Sequence, residues 1–129
     1  MLKEFVICVI IVTLIFVGNI ITQNYTNSSI DITSENLNKL REEIIKEQVN
    51  LEISNQKIKE ISSDWNNRHK NLAYYIEHDE LEKVETDLSA LKGYIEVEEY
   101  KEATAELDRT IYILQHIKNK NIFNLENIF

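Results

Sequence analysis

The apolar positions of this chain fall into two regimes. From Phe5 to Ile21 every residue is apolar except Thr13, Gly18 and Asn19, and none is charged. From about residue 33 onward the apolar residues recur every three or four positions, with polar and charged residues between them. The first regime is apolar all round and predicts a transmembrane anchor over 1–22. The second predicts amphipathic helices, because 3.6 residues per turn bring positions i, i+3, i+4 and i+7 onto one face.

A helix over Phe5–Ile21 spans about 25 Å, the short end for a bilayer core, and Met1 and Leu2 extend it slightly. A cleaved signal peptide is the competing reading. It needs small residues at its cleavage site, and Ile20-Ile21-Thr22-Gln23-Asn24-Tyr25 offers none. Lys3 and the α-amino group precede the anchor and no Lys or Arg follows until Lys39, so the positive-inside tendency puts the rest of the chain outside the cytoplasm. The anchor is expected to contact membrane lipid through residues 5–21. Residues 23–32 read as a juxtamembrane linker, with Tyr25 at the interface.

The repeating pattern divides residues 33–120 into four helices. The first covers about 33–48, with Thr33 or Ser34 as N-cap and Leu37, Leu40 and Ile44 on one face. The second begins near Asn50 and carries Leu51, Ile58, Ile61, Trp65, Leu72 and Tyr75 or Ile76, with a bend or break at Asn66-Asn67. The third opens at Asp79, with Glu82 as its capping-box partner, and buries Leu81, Val84, Leu88, Leu91 and Ile95. The fourth starts near Glu98-Glu99 and presents Tyr100, Ala103, Leu107, Ile111, Leu114 and Ile117. Short turns make consecutive helices antiparallel neighbours, so the fold class is all-α: an anchor followed by a bundle of two helical hairpins. Leu37, Leu40 and Ile44 map onto Leu88, Leu91 and Ile95 at an offset of 51, and Leu51, Ser54, Ile58 and Trp65 map onto Tyr100, Ala103, Leu107 and Leu114 at 49. Heptad-like sequences match one another easily, so this does not establish a repeat. The apolar tail over 121–129 is expected to fold back over the bundle, with a docking motif for a membrane partner as the alternative.

Composition narrows the classes. The chain has 129 residues, no proline, two glycines and one cysteine. A β-sandwich or a Gly-rich phosphate-binding fold needs turn residues that are missing here. Cys8 alone cannot form an intramolecular disulfide or a cysteine zinc site. The formal net charge of -8 is the wrong sign for binding nucleic acid. Residues 77–108 hold 12 acidic and 3 basic side chains, so the acidity is concentrated in the third helix and the start of the fourth.

Little points to chemistry. His78, Asp79, Glu80 and Glu82 form the densest polar cluster, but capping and the helix dipole already account for Asp79 and Glu82. His78, Asp79 and Glu82 are the nearest approach to a metal ligand set, and no metal or cofactor is expected. His69 and His116 are isolated, at or beside apolar stripes. They form a metal or pH-sensing pair only if they face each other across the second and fourth helices. No nucleophile elbow, zincin motif or phosphate loop occurs, so no enzyme is expected. Trp65, Tyr75, Tyr100 and Tyr112 read mostly as core, whereas Tyr74 and Tyr94 fall off the stripes. The expected partner surface is Tyr94, Glu98, Glu99, Phe123 and Phe129.

Trp65, Leu72 and Ile76, His78-Asp79-Glu80, Leu88 and Leu91 with Tyr94-Ile95, Leu114 with His116-Ile117, and the ending Leu125-Glu126-Asn127-Ile128-Phe129 together resemble the domain of unknown function 4363 family. The resemblance spans the chain, with the anchor and residues 65–129 carrying it, and departs mildly at 46–50. It implies a short, single-anchor protein with a helical extracytoplasmic domain, from clostridia and related Firmicutes. It implies no activity and no catalytic residues. The expected role is a membrane-anchored accessory or scaffold protein that binds another membrane or envelope protein, with homo-oligomerisation left open. The alternative is an extracytoplasmic sensor or a ligand- or cation-binding module.

Overall fold

A computed structural model describes the backbone of residues 1–128 and the side chains of residues 1–122. Among the described residues the chain forms four helices: α1 (Leu2–Ile44), α2 (Leu51–Leu72), α3 (His78–Glu96) and α4 (Tyr100–Ile128). Each packs against its neighbours in sequence, and α4 closes the ring against α1. Among the described residues no helix packs across a diagonal, which is the arrangement of an up-down-up-down bundle.

Two ion pairs fix the α1–α4 register. Arg41 meets Asp108 at 2.9 Å and Lys118 meets Asp31 at 2.8 Å. Ten residues separate the pair members on each helix, so the two helices run antiparallel in step. The core is a single cluster. It contains Leu37, Leu40 and Ile44 from α1, Ile58, Ile61, Trp65 and Leu72 from α2, Leu81, Val84, Leu88, Leu91 and Ile95 from α3, and Ala103, Leu107, Leu114 and Ile117 from α4. The three-and-four spacing of these residues is what places them on one stripe of each helix.

The linker is where the structure departs most from the sequence reading. Residues 23–32 are not a separate connector but the middle of α1, which runs unbroken from the apolar segment into the bundle. Thr26, Ser29, Ile30 and Thr33 are buried there. Thr33 is therefore an interior position, not an N-cap. The physical reason is twofold. Thr22 and Thr26 turn their hydroxyls back onto the carbonyls of Asn19 and Thr22, so their polar groups are satisfied without leaving the helix. Packing by α2 and α4 then overrides the modest helix propensity of Ser, Thr and Asn. Upstream, Leu2–Ile21 is exposed except for a half-buried Asn19. α1 is long and apolar enough to cross a membrane.

Smaller differences follow the same logic. α1 ends at Ile44, its last buried residue, four positions before the expected Gln48. Asn50 caps α2 as expected, its side chain accepting from the Ile53 N–H at 3.1 Å. α2 passes through Asn66-Asn67 without a break, held on either side by buried Trp65 and the Arg68–Asp64 pair at 2.7 Å. It stops at Leu72, leaving Tyr75 and Ile76 in the turn. The expected Asp79–Glu82 capping box does not form: the N-cap is Glu77, two residues earlier, and Glu82 pairs instead with His78. α4 continues as helix to Ile128 and does not turn back at 121. The side chains of the expected tail contacts Phe123 and Leu125, and all of Phe129, lie outside the described residues.

Candidate functional site

The sequence expected one partner surface, and the structure distributes its residues along the bundle. Glu98 and Glu99 are exposed in the α3–α4 turn. Phe123 lies 24 residues further along α4, about 36 Å away by helical rise. Tyr94 is not free either; it is half-buried and packs on the core. The turn closes with the Glu99 N–H donating to the Tyr94 carbonyl and the Glu98 N–H to that of Ile95. Glu98 sits there at φ 59°, the left-handed position that usually holds glycine.

The histidines are sorted differently from the expected pairing. His69 and His116 do not form a pair. His69, on α2, points across the α2–α3 seam, where its Nδ1 comes 2.5 Å from Glu85 Oε1 without the alignment of a hydrogen bond. Its ring also stands edge-on to His78, with centroids 6.1 Å apart. His78 Nε2 lies 2.8 Å from Glu82 Oε1. His116 is on the outer face of α4, 3.9 Å from Glu80. The α2–α3 seam thus gathers two imidazoles and two carboxylates. Among the described residues, however, no group of three or more such side chains has the geometry to hold a metal ion. Asp79 makes no ion pair with either histidine.

A second polar group lies between α3 and α4. Asp87 is only 7% exposed, its Oδ2 makes no hydrogen bond, and the nearest cation is Arg109 Nε at 3.8 Å. Burial, and then the facing Asp87 carboxyl, push the Glu106 carboxyl above its ordinary range. Neither residue was singled out from the sequence. The signal was present: Asp87 follows Val84 by three positions and precedes Leu91 by four, so it shares their stripe.

A third feature is the outer α3–α4 groove. It has a volume of about 530 Å³ and is bordered by Lys83, Arg109, Tyr112, Ile113 and His116. Tyr112, expected in the core, is 73% exposed there because it lies one position off the Ile111–Leu114 stripe. Beside it Lys120 pairs with Glu80 at 3.0 Å and Glu77 at 3.4 Å, contacts that raise the lysine's pKa, the Glu80 hydrogen bond most.

These groups supply charge, an aromatic side chain and a shallow groove, the ingredients of a binding surface. No curated protein and no solved structure matches the chain. A domain of unknown function (DUF4363) matches residues 20–128, from the end of the apolar run through the last turn of α4. That span takes in every helix of the bundle, and the chain belongs to the DUF4363 family.

Proposed function

We propose that this protein is a single-pass membrane protein whose helical domain serves as an accessory or scaffold unit for another membrane or envelope protein. The observation that carries this reading is the continuity of α1. An exposed apolar stretch of bilayer-spanning length becomes a core helix of the bundle without a break. The domain is built on its anchor, not tethered to it. The charge order around Lys3 favours a bundle outside the cytoplasm. The outer α3–α4 face, with exposed Tyr112 over a groove bordered by Lys83 and Arg109, is the surface we assign to the protein partner.

A photo-crosslinking residue at position 112 of the full chain in native membranes tests this. A heteromeric product that weakens when Lys83 and Arg109 are changed to Gln is expected. Self-crosslinks alone would exclude the heteromeric role.

A second reading, a divalent-cation module, is favoured by the His69–His78 approach with Glu82 and Glu85 beside it. It requires the four side chains to rearrange on binding. Melting of the full chain with and without zinc separates the readings, because a ligand that binds only the folded state raises its stability.

A further inference from the structure

We propose that the α2–α3 turn, with Tyr74 at its tip, rests in the lipid headgroup layer of the same bilayer that α1 crosses. The lower end of the bundle is then a second lipid contact beside the anchor. The inference rests on the membrane-anchored reading above and adds where the bundle stands.

The level of the turn is fixed by hydrogen bonds. The Tyr75 hydroxyl lies 3.2 Å from the Thr22 carbonyl oxygen and 3.0 Å from Thr26 Oγ1. One turn back along α2, the Asn71 side-chain amide donates to the Tyr25 hydroxyl at 3.1 Å. Thr22 is the first residue after the apolar run, so no spacer separates bundle from anchor. The headgroup layer is roughly 5–7 Å thick on each side of a hydrocarbon core of about 30 Å. At about 1.5 Å per residue it covers about four residues of α1 beyond the apolar run, the stretch from Thr22 to Thr26 to which Tyr75 is tied. The apolar run is itself short for the core, which draws these residues toward the lipid and not away from it.

The side chains at this level suit that layer. Tyr74 is 87% exposed. A tyrosine with an apolar ring and a polar tip is most stable where one end is dry and the other wet. Lys70 is exposed one turn before it on α2, and its long stem can carry its charge to the phosphates. α4 arrives at the same level. Its backbone passes Asp31 at Lys118 and runs ten residues further, about 15 Å, to come abreast of the end of the apolar run.

The test places spin labels on the full chain, in a Cys8→Ala background, at Ile11→Cys, Tyr74→Cys and Tyr112→Cys. The chain is reconstituted in vesicles of phosphatidylethanolamine and phosphatidylglycerol. Collision with oxygen and with a water-soluble nickel chelate reports depth. By the α1–α4 register Tyr112 stands about 22 Å above Thr22 and serves as the aqueous reference. The expected result is a deep label at 11, an aqueous label at 112, and a label at 74 whose chelate collisions are several-fold fewer than at 112. A deep label at 11 with a fully aqueous one at 74 overturns the inference and leaves the anchor standing. A label at 74 shielded from oxygen and chelate alike marks contact with a second copy and also overturns it. An aqueous label at 11 removes the anchored reading and this inference together.

Discussion

Tyr75 and Thr22 are joined by a hydrogen bond of 3.2 Å from phenol to main-chain carbonyl, and this bond latches the α2–α3 turn to α1. Burial raises the Tyr75 pKa, the dominant influence on it. Tyr75→Phe removes the hydroxyl and its bonds to Thr22 and Thr26, at a cost of about 1 kcal/mol. Denaturant unfolding in detergent checks this. The same latch gives an alkaline signature. A phenol whose pKa is raised on folding contributes stability below its unfolded pKa of 10, and that contribution is lost as pH climbs through the raised value. Tyr75→Phe should therefore unfold less steeply with pH above 10 than the parent.

Trp65 is the largest fully buried side chain and sits at the centre of the α2 stripe. Trp65→Ala leaves a cavity that the surrounding Leu and Ile residues fill only in part, a loss of about 3–5 kcal/mol. Thermal unfolding followed by circular dichroism measures it. A loss under about 1 kcal/mol would mean that the core is not packed around this ring.

Glu98 holds a left-handed backbone conformation that costs a side-chain-bearing residue about 1 kcal/mol. Its position closes α3 through the paired bonds to Ile95 and Tyr94. Glu98→Gly keeps those bonds and removes the strain, so the melting temperature should rise. Glu98→Val should lower it, since a β-branched residue tolerates the conformation least.

Glu106 has a pKa raised by burial and by Asp87. Folding then favours its protonated form. Stability from this group is complete below the ordinary value of 4.5 and is lost as pH rises through the raised value. Glu106→Gln mimics the protonated form. Its expected effect is a higher melting temperature at pH 7 and almost none at pH 4. An equal shift at both pH values would show that charge plays no part.

The core was legible because its information is one-dimensional. Leu81, Val84, Leu88, Leu91 and Ile95 are buried as their spacing predicts, and the two sets of positions offset by 51 and 49 agree in burial from Leu37/Leu88 to Trp65/Leu114. The juxtamembrane helix was not legible. Thr26, Ser29 and Thr33 are weak helix formers, and only contact with α2 and α4 makes them interior. The histidine arrangement was hidden for a related reason: His69 and Glu85 meet across a seam, and no spacing along one helix encodes a meeting between two. Asp87 was legible by position, on the stripe of Val84 and Leu91, though its residue type points to solvent.

The unbroken α1 also makes the protein a gauge of height. From Thr22 to Ile44 the helix rises about 33 Å, with no hinge on the way. The α1–α2 and α3–α4 turns, with Glu98 and Glu99, are therefore held at a fixed stand-off from the anchor. A tilt of the anchor about its foot swings that far end by its full lever arm instead of being absorbed in a linker. A partner gripping the far turns would sense the anchor's inclination; one gripping the side near Tyr112 would feel it less.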